Sequence, residues 1–415
     1  MTLAALVEEV LGVDLPVGVR AYDGSSAGPP DPPATLVFRS PDALRRILLA
    51  PGELGIGRAY VAGDLDVEGD IFAAIALRER LPNFNMRLSP SVLKGIVAEL
   101  GGWRTALRPL PPPPEEVRLH GRRHSPARDR AAISYHYDVS NRFYEMVLGP
   151  SMTYSCATFA TPTTSLEDAQ AAKYELVCRK LDLQPGDRLL DVGCGWGSMA
   201  MHAAEHHGAH AVGVTISQRQ YELAKNRVSD AGLSDRVEIR LQDYRDVDDG
   251  PYDAVSSIGM FEHVGEARLG EYFDRLLRLV KPGGRFLNHG ISRSPGGRAR
   301  LAPRSFANRY VFPDGELHEV GRVVSRIQEA GFEARHVESL REHYDLTLRH
   351  WVANLERNWE EAVAEVGPNR ARVWRLYMAV CAVSFATGGN QIYQVLSSHR
   401  MPDGRSGLAL RESYG

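Results

Sequence analysis

Two apolar residues, an aspartate and three glycines at alternate positions form Leu189-Leu190-Asp191-Val192-Gly193-Cys194-Gly195-Trp196-Gly197. No other stretch constrains the fold as strongly. It reads as a buried parallel strand ending in a tight turn, with a helix starting near Ser198. Glycine there lets a nucleotide-like ligand come closer to the backbone than a Cβ would allow. The surrounding chain decides what the turn holds.

Apolar, β-branched runs follow at Ala211–Thr215, Val237–Ile239, Tyr252–Ser257 and, after the turn Lys281-Pro282-Gly283-Gly284, Arg285–Leu287. Helical spacing separates them at about 165–183, 199–207, 218–231 and up to Val280. Strands alternating with helices in this way predict an α/β fold with a doubly wound, mostly parallel sheet. Ligands of such sheets bind at the carboxyl ends of the strands.

Ahead of this region, residues 1–100 read as a small α/β unit, with a strand at 35–38 and a helix opened by Ser40-Pro41-Asp42. Residues 101–130 read as a linker. They contain Pro111–Pro114 and carry seven Arg against three acids, a local +4. Such a strip serves either as a solvated hinge or as a contact for anionic headgroups. Residues 131–415 form the main domain, and the stretch 341–400 reads as largely helical, with Trp351, Leu355, Trp359, Trp374 and Tyr377 on apolar spacings.

A net charge of −3 gives no general attraction to nucleic acid. The four cysteines have no metal-type spacing, so no metal is expected, and they read as reduced thiols of a cytoplasmic protein. The first dozen residues lack a basic segment, and no apolar run reaches about 18 residues. Leu376–Ala386 is therefore read as a buried helix.

The acid precedes the glycines, and no acid ends the second strand, where the chain reads Val214-Thr215-Ile216-Ser217-Gln218. Together with the Lys-Pro-Gly-Gly turn, this resembles class I S-adenosylmethionine-dependent methyltransferases over about residues 183–292 rather than dinucleotide-binding proteins. The resemblance implies S-adenosylmethionine as cofactor, with Asp191, Gly193 and Gly195 at its methionine end. Thr215, Ser217 and Gln218 are then expected at the ribose and Asp243 and Tyr244 at the adenine. Tyr154 and Ser155 complete that set.

Further motifs narrow the family. Gly213-Val-Thr-Ile-Ser-x-x-Gln220, Gln242-Asp243-Tyr244-Arg245-Asp246 and Gly259-Met-Phe-Glu-His-Val-Gly265 resemble the cyclopropane-fatty-acyl-phospholipid synthase family. So do His136-Tyr137-Asp138-Val139-Ser140-Asn141, Thr153-Tyr154-Ser155-Cys156 and Tyr310-Val311-Phe312-Pro313-Asp314-Gly315. The motifs run in family order over about residues 131–400. Gly57–Asp64 resembles the N-terminal domain of the phospholipid-acting members.

That resemblance implies transfer of a methyl-derived carbon to the cis double bond of an unsaturated phospholipid acyl chain in the bilayer. An alkene is a poor nucleophile and its methylation leaves a carbocation, so the site must exclude water, offer aromatic faces and remove a proton. Tyr137, Tyr154, Phe261 and Tyr310 are the candidate aromatic wall. A bound bicarbonate ion is implied as proton acceptor, held by Glu262, His289, Tyr344 and the backbone amides of Cys156 and Ile291. Cys156 is not a nucleophile in this scheme. Ring closure gives a cyclopropane; a hydride shift before proton loss gives a methylene-branched chain, which a separate reductase converts to the 10-methyl product.

Two departures from the family pattern, Asn288-His289-Gly290-Ile291 and Leu317-His318-Glu319, lie near the acyl pocket and lean toward the methylene branch. Arg293, Arg298, Arg300, Arg304 and Arg309 lie in a stretch without acids, 292–312, placed to meet phosphate headgroups or simply to be solvated. The expected setting is the inner face of the membrane, peripherally bound, with the C-terminal helices covering the acyl tunnel and supporting a homodimer. The alternatives are a small-molecule N- or O-methyltransferase and an inactive lipid-binding relative.

Overall fold

The computed structural model describes residues 2–11, 16–80, 90–117, 139–296, 301–313, 315–410 and 414. The chain forms two compact units. The first comprises Met1–Arg118, Ala302–Pro313 and Trp359–Val383; the second comprises Leu119–Leu301, Asp314–Asn358 and Ser384–Gly415.

The first unit carries a four-stranded sheet of β1 (Gly18–Ala21), β2 (Ser26–Ala27), β3 (Ala34–Phe38) and β4 (Leu65–Gly69), in the order β2-β1-β3-β4. Ser40 caps the helix Pro41–Leu49 by accepting from the Asp42 amide at 3.2 Å. The described part of the expected linker, exposed over most of 101–111, is nonetheless anchored within this unit. Arg45 and Arg46 donate to the carbonyls of Arg108 and Pro111, at 2.7 and 2.9 Å. Glu116, its side chain buried, takes both arms of Arg58 at 2.7 and 2.8 Å. Residues 118–130 lie outside the described set. The helical segment Trp359–Val383 and the stretch Ala302–Pro313 also pack within this unit rather than with the main domain expected from the sequence.

The second unit is built on seven strands: β5 (Arg188–Val192), β6 (His210–Thr215), β7 (Val237–Leu241), β8 (Tyr252–Ile258), β9 (Val280–Arg293), β10 (Phe332–Ser339) and β11 (Asn390–His399). Their order is β10-β11-β9-β8-β5-β6-β7. β5 to β9 are mutually parallel, and β11 is inserted antiparallel between β9 and β10. The reading of 341–400 as largely helical holds as far as Ala386, and β11 closes the stretch as a strand. Its buried Gln394, Ser397 and Ser398 hide the apolar pattern of an interior strand.

Both sheet faces are covered. Leu189, Ala211, Ala254 and Leu287 pack under the helices Leu166–Leu181 and Ser198–His207. Leu190, Val255 and Phe286 pack under Leu269–Leu279 and Val320–Glu329. The strand order reverses between β5 and β8, and the glycine turn leaves β5 beside that crevice.

Candidate active site

Gly193, Gly195 and Gly197 have φ of +77°, +55° and +83°. A Cβ on Gly195 would meet no atom within 4 Å, so the left-handed backbone itself, rather than crowding by protein atoms, selects glycine there. The amides of Gly193 and Cys194 both donate to the Val214 carbonyl at 3.0 Å, tying the turn to β6.

A cavity opens at the ends of β5, β6 and β8. It is lined by Tyr154, Ser155, Asp191, Gly193, Gly195, Thr215, Asp243 and Tyr244 from the expected cofactor set, together with Lys173 and Gln220. Ser217 and Gln218 do not line it. Ser217 caps the following helix, its hydroxyl accepting from the Gln220 amide at 3.3 Å, and Gln218 turns along that helix to Glu222 at 2.7 Å. Gln220, the last residue of the Gly-Val-Thr-Ile-Ser-x-x-Gln motif, faces the cavity instead and accepts from the Thr215 hydroxyl at 2.8 Å.

Asp191 is buried, and burial lifts its carboxyl to about 6 against the hydrogen bond from the Ser256 hydroxyl at 2.7 Å and the charge of Lys173. Lys173 is buried in turn, donates to the Ser155 hydroxyl at 3.2 Å, and is lowered to about 7 by burial. Asp243 is held by Arg245, which donates from Nε at 2.9 Å. Tyr244 packs edge-on against Tyr272 at 5.0 Å.

Two of the residues expected around the anion, Glu262 and His289, meet at β9. Glu262 follows β8 in a short turn and is buried. Its Oε1 accepts from the Ile291 amide at 2.7 Å, while Oε2 has no partner among the described residues. Burial raises this carboxyl to about 7, the Ile291 bond opposing. The Ile291 amide, expected to face the anion, is thus used to hold Glu262. His289 is buried, with Nδ1 3.1 Å from Gln394 Nε2 and Nε2 without a partner among the described residues. Burial and the charges of Lys173 and Lys180 hold its pKa well below the ordinary histidine value, so the ring is neutral.

Cys156 and Tyr344 converge on one carbonyl. The Leu340 oxygen accepts from Cys156 Sγ at 3.6 Å and from the Tyr344 amide at 3.1 Å, and the Leu340 amide is itself anchored to Ile392 of β11. Burial pushes the Cys156 thiol far up, leaving it protonated. Of the aromatic candidates, Tyr154 lines the cavity and stacks on Trp351 at 5.3 Å, and Tyr344 meets Trp351 edge-on at 6.0 Å. Phe261 is fully buried in the core and does not line the cavity. Tyr310 belongs to the first unit, where it stacks on Phe306 at 4.7 Å. Tyr137 lies outside the described residues.

The two departures also have structural answers. A Cβ on Gly290 would lie 2.0 Å from Phe261 Cε1 and 3.0 Å from Glu262 Oε1, so the Phe261 ring occupies the space a side chain would need. His318 is buried and pairs with Glu266 at 3.2 Å.

Sequence reasoning missed Lys173, Gln220, Lys180 and Gln394. The two lysines had a signal: they are two of only five in the chain and stand seven apart on one helix, hence on one face. Elsewhere, Cys178, His202 and His207 bring their ligating atoms within 4.8 Å of one another, from two helices rather than a spacing motif. His207 there is bonded to Glu175 at 2.9 Å.

Sheet order, glycine turn and strand-end cavity define a class I S-adenosylmethionine-dependent methyltransferase fold. A solved mycolic acid cyclopropane synthase complexed with SAH and CTAB superimposes with a TM-score of 0.61 at 33% identity, over 65% of this chain and 97% of that one. A family model described as mycolic acid cyclopropane synthetase matches residues 124–395. The chain is 45% identical over 406 residues to a probable fatty acid methyltransferase of Mycobacterium tuberculosis, covering 95% of this chain and 94% of that protein. It is 33% identical over 375 residues to cyclopropane-fatty-acyl-phospholipid synthase of Escherichia coli, covering 90% of each. The chain belongs to the cyclopropane synthase family of methyltransferases.

Proposed function

We propose that this enzyme transfers the methyl of S-adenosylmethionine to the double bond of an unsaturated phospholipid acyl chain, and that an anion of bicarbonate type serves as proton acceptor. The observation that carries the reading is that Glu262 Oε2 and His289 Nε2 are each buried with no partner among the described residues. Buried polar atoms without partners are costly, and an anion or water bonded to these two relieves that cost.

The cavity residues fit the cofactor, with Asp191 and the glycine turn at its methionine end and Gln220 replacing Gln218 in the expected ribose set. S-adenosylmethionine supplies an electrophilic methyl on sulfur. The chain's own residues do the rest. Tyr154, backed by Trp351, offers an aromatic face to developing positive charge. Burial of Cys156 and Tyr344 keeps water from the cation.

A bicarbonate ion fits the donor set. His289 Nε2, the Tyr344 hydroxyl and the Cys156 amide would hold it as donors and Glu262 Oε2 as acceptor. When bound there it supplies a base that the neutral His289 and the protonated Cys156 do not. Loss of a proton from the new methyl with ring closure gives a cyclopropane, and the same loss after a hydride shift gives a methylene branch. The departure at Gly290, where the Phe261 ring fills the space of a side chain beside Glu262, supports the methylene product.

The test incubates the protein with labelled S-adenosylmethionine and vesicles of monounsaturated phosphatidylglycerol, and reads the acyl chains by mass spectrometry and NMR. A gain of one carbon with terminal-methylene resonances is expected. Cyclopropane resonances overturn the methylene branch, and label appearing only on amines or hydroxyls overturns the whole reading.

A further inference from the structure

His289, Gln394 and Glu338 form one row across three strands: Gln394 of β11 is the register partner of His289 on β9 and of Glu338 on β10. Lys180, fully buried on the helix Leu166–Leu181, reaches the same row. Its Nζ donates to Gln394 Oε1 at 2.6 Å and pairs with the Glu338 carboxylate. Gln394 Nε2 lies 3.1 Å from His289 Nδ1.

Each link in this row has only one possible polarity. An ammonium has no lone pair, so the atom of Gln394 facing Lys180 must be its carbonyl oxygen. The other end of the amide is then its NH₂, which only donates, and His289 Nδ1 must accept. A neutral imidazole that accepts at Nδ1 carries its proton on Nε2, the atom without a partner among the described residues. The Glu338 carboxylate, paired with the Lys180 ammonium, opposes the lowering that burial imposes on Lys180, and this ion pair sets the direction of the whole chain.

We propose that Gln394 is a positioning residue that locks His289 in the Nε2–H form, so that the ring presents a donor, not a lone pair, to the anion of the active site. The inference rests on the proposed reading that this site holds an anion. In the opposite tautomer the Nε2 lone pair would face the anion and repel it. Outer partners of this kind orient a ligating histidine and fix its tautomer, and their loss commonly costs 10- to 100-fold in affinity or activity.

The direct test is the tautomer, read by nitrogen and carbon NMR of histidine-labelled full-length protein without added cofactor, with His289 assigned by the signal lost in His289→Asn. The wild type is expected to show protonated Nε2. The shape-preserving Gln394→Glu can accept from both Lys180 and His289, and is expected to move the proton to Nδ1. In buffer freed of carbon dioxide, with S-adenosylmethionine and the vesicles above, Gln394→Glu is expected to need at least about tenfold more added bicarbonate for half-maximal rate. Its KM for S-adenosylmethionine should stay within about twofold, which a general loss of structure would not allow. Protonated Nδ1 in the wild type overturns the proposal even if the variant does not fold. So does a Gln394→Glu protein with unchanged tautomer and unchanged bicarbonate requirement. A wild type that shows the Nε2–H form but modifies no lipid overturns the functional reading while leaving the lock in place.

Discussion

Gly290→Ala tests the geometry of β9 with one methyl group. The added carbon would stand 2.0 Å from Phe261 Cε1, 2.6 Å from Cδ1 and 3.0 Å from Glu262 Oε1. Ordinary carbon contacts begin near 3.5 Å, so the ring and strand must separate by roughly 1.5 Å. Phe261 cannot swing into solvent, because it is buried in the cluster with Val264, Leu269 and Phe273. Overpacking of this kind costs about 1–3 kcal/mol. A loss of about 2 kcal/mol lowers a melting midpoint by roughly 4–8 °C for a unit of this size. The activity loss should be larger in proportion. Glu262 is adjacent to Phe261, and a displacement near 1 Å at a reacting group can cost on the order of 100-fold. Melting followed by circular dichroism and turnover on phospholipid vesicles measure the two effects. Phe261→Leu in the Gly290→Ala background should restore part of the stability, giving a coupling of about 0.5–3 kcal/mol. A Gly290→Ala protein that melts within 1 °C of wild type and keeps half its turnover refutes the reasoning, as does a double variant less stable than the two single effects combined.

Three further outcomes follow from the site's electrostatics. Glu262 binds its proton with a pKa of about 7 in the fold against 4.5 in a free chain, so the unfolded state ionises first as pH rises. Stability contributed by the protonated carboxyl is therefore present below pH 4.5 and lost by about pH 7, to the extent of on the order of 3 kcal/mol. Glu262→Gln should flatten that decline in denaturation curves measured from pH 5 to 8, while abolishing turnover; an undiminished pH slope contradicts the assignment. Lys173→Met removes the buried charge that opposes protonation of Asp191, so cofactor titrated calorimetrically at pH 7 should bind at least about tenfold more weakly and recover partly at pH 8.5; a pH-independent loss would show that Lys173 acts only by packing. Arg298→Glu, Arg300→Glu and Arg304→Glu together should reduce flotation with anionic vesicles and leave binding to neutral ones unchanged, and equal flotation would reject a headgroup contact. Arg293 and Arg309 are omitted because they pair with Glu319 and with the Pro303 carbonyl inside their own units.

The parallel half of the large sheet was legible because local chemistry and tertiary role agree there. β5, β6 and β8 are apolar runs buried on both faces, and the glycine turn needs left-handed backbone whatever it binds. β11 was hidden for the opposite reason. Gln394, Ser397 and Ser398 are polar but buried, because they meet β9 and β10 on both edges, and the long helices before it carry the helical pattern forward. Residues 101–117 were legible only in part: their prolines and arginines fit the exposed stretch, but composition gave no sign that Glu116 and the backbone carbonyls supply internal partners for Arg45, Arg46 and Arg58. Gln220 stood in the quoted motif, but helix geometry, not motif membership, decides that it and not Gln218 turns toward the cavity.

A single strand, β9, positions two of the proposed site residues, His289 directly and Glu262 through the Ile291 amide. Successive residues of a strand point to opposite faces, so Leu287 and His289 face the helix that carries Lys180 while Phe286 and Gly290 face the core that holds Phe261. Between them the backbone amide of Ile291 reaches sideways to Glu262. The two faces are therefore coupled through three consecutive residues. A change on the Phe261 side moves the carboxylate, and a change in the row from Glu338 to Gln394 alters what His289 presents. Their functional consequences should differ accordingly. Gly290→Ala should lower stability and turnover together, whereas Gln394→Glu, which adds no volume, should shift the anion requirement with little change in melting. If both variants showed the same ratio of stability loss to activity loss, β9 would be acting as a packing element alone, and the separation of its two faces into a steric and a proton-placing side would be wrong.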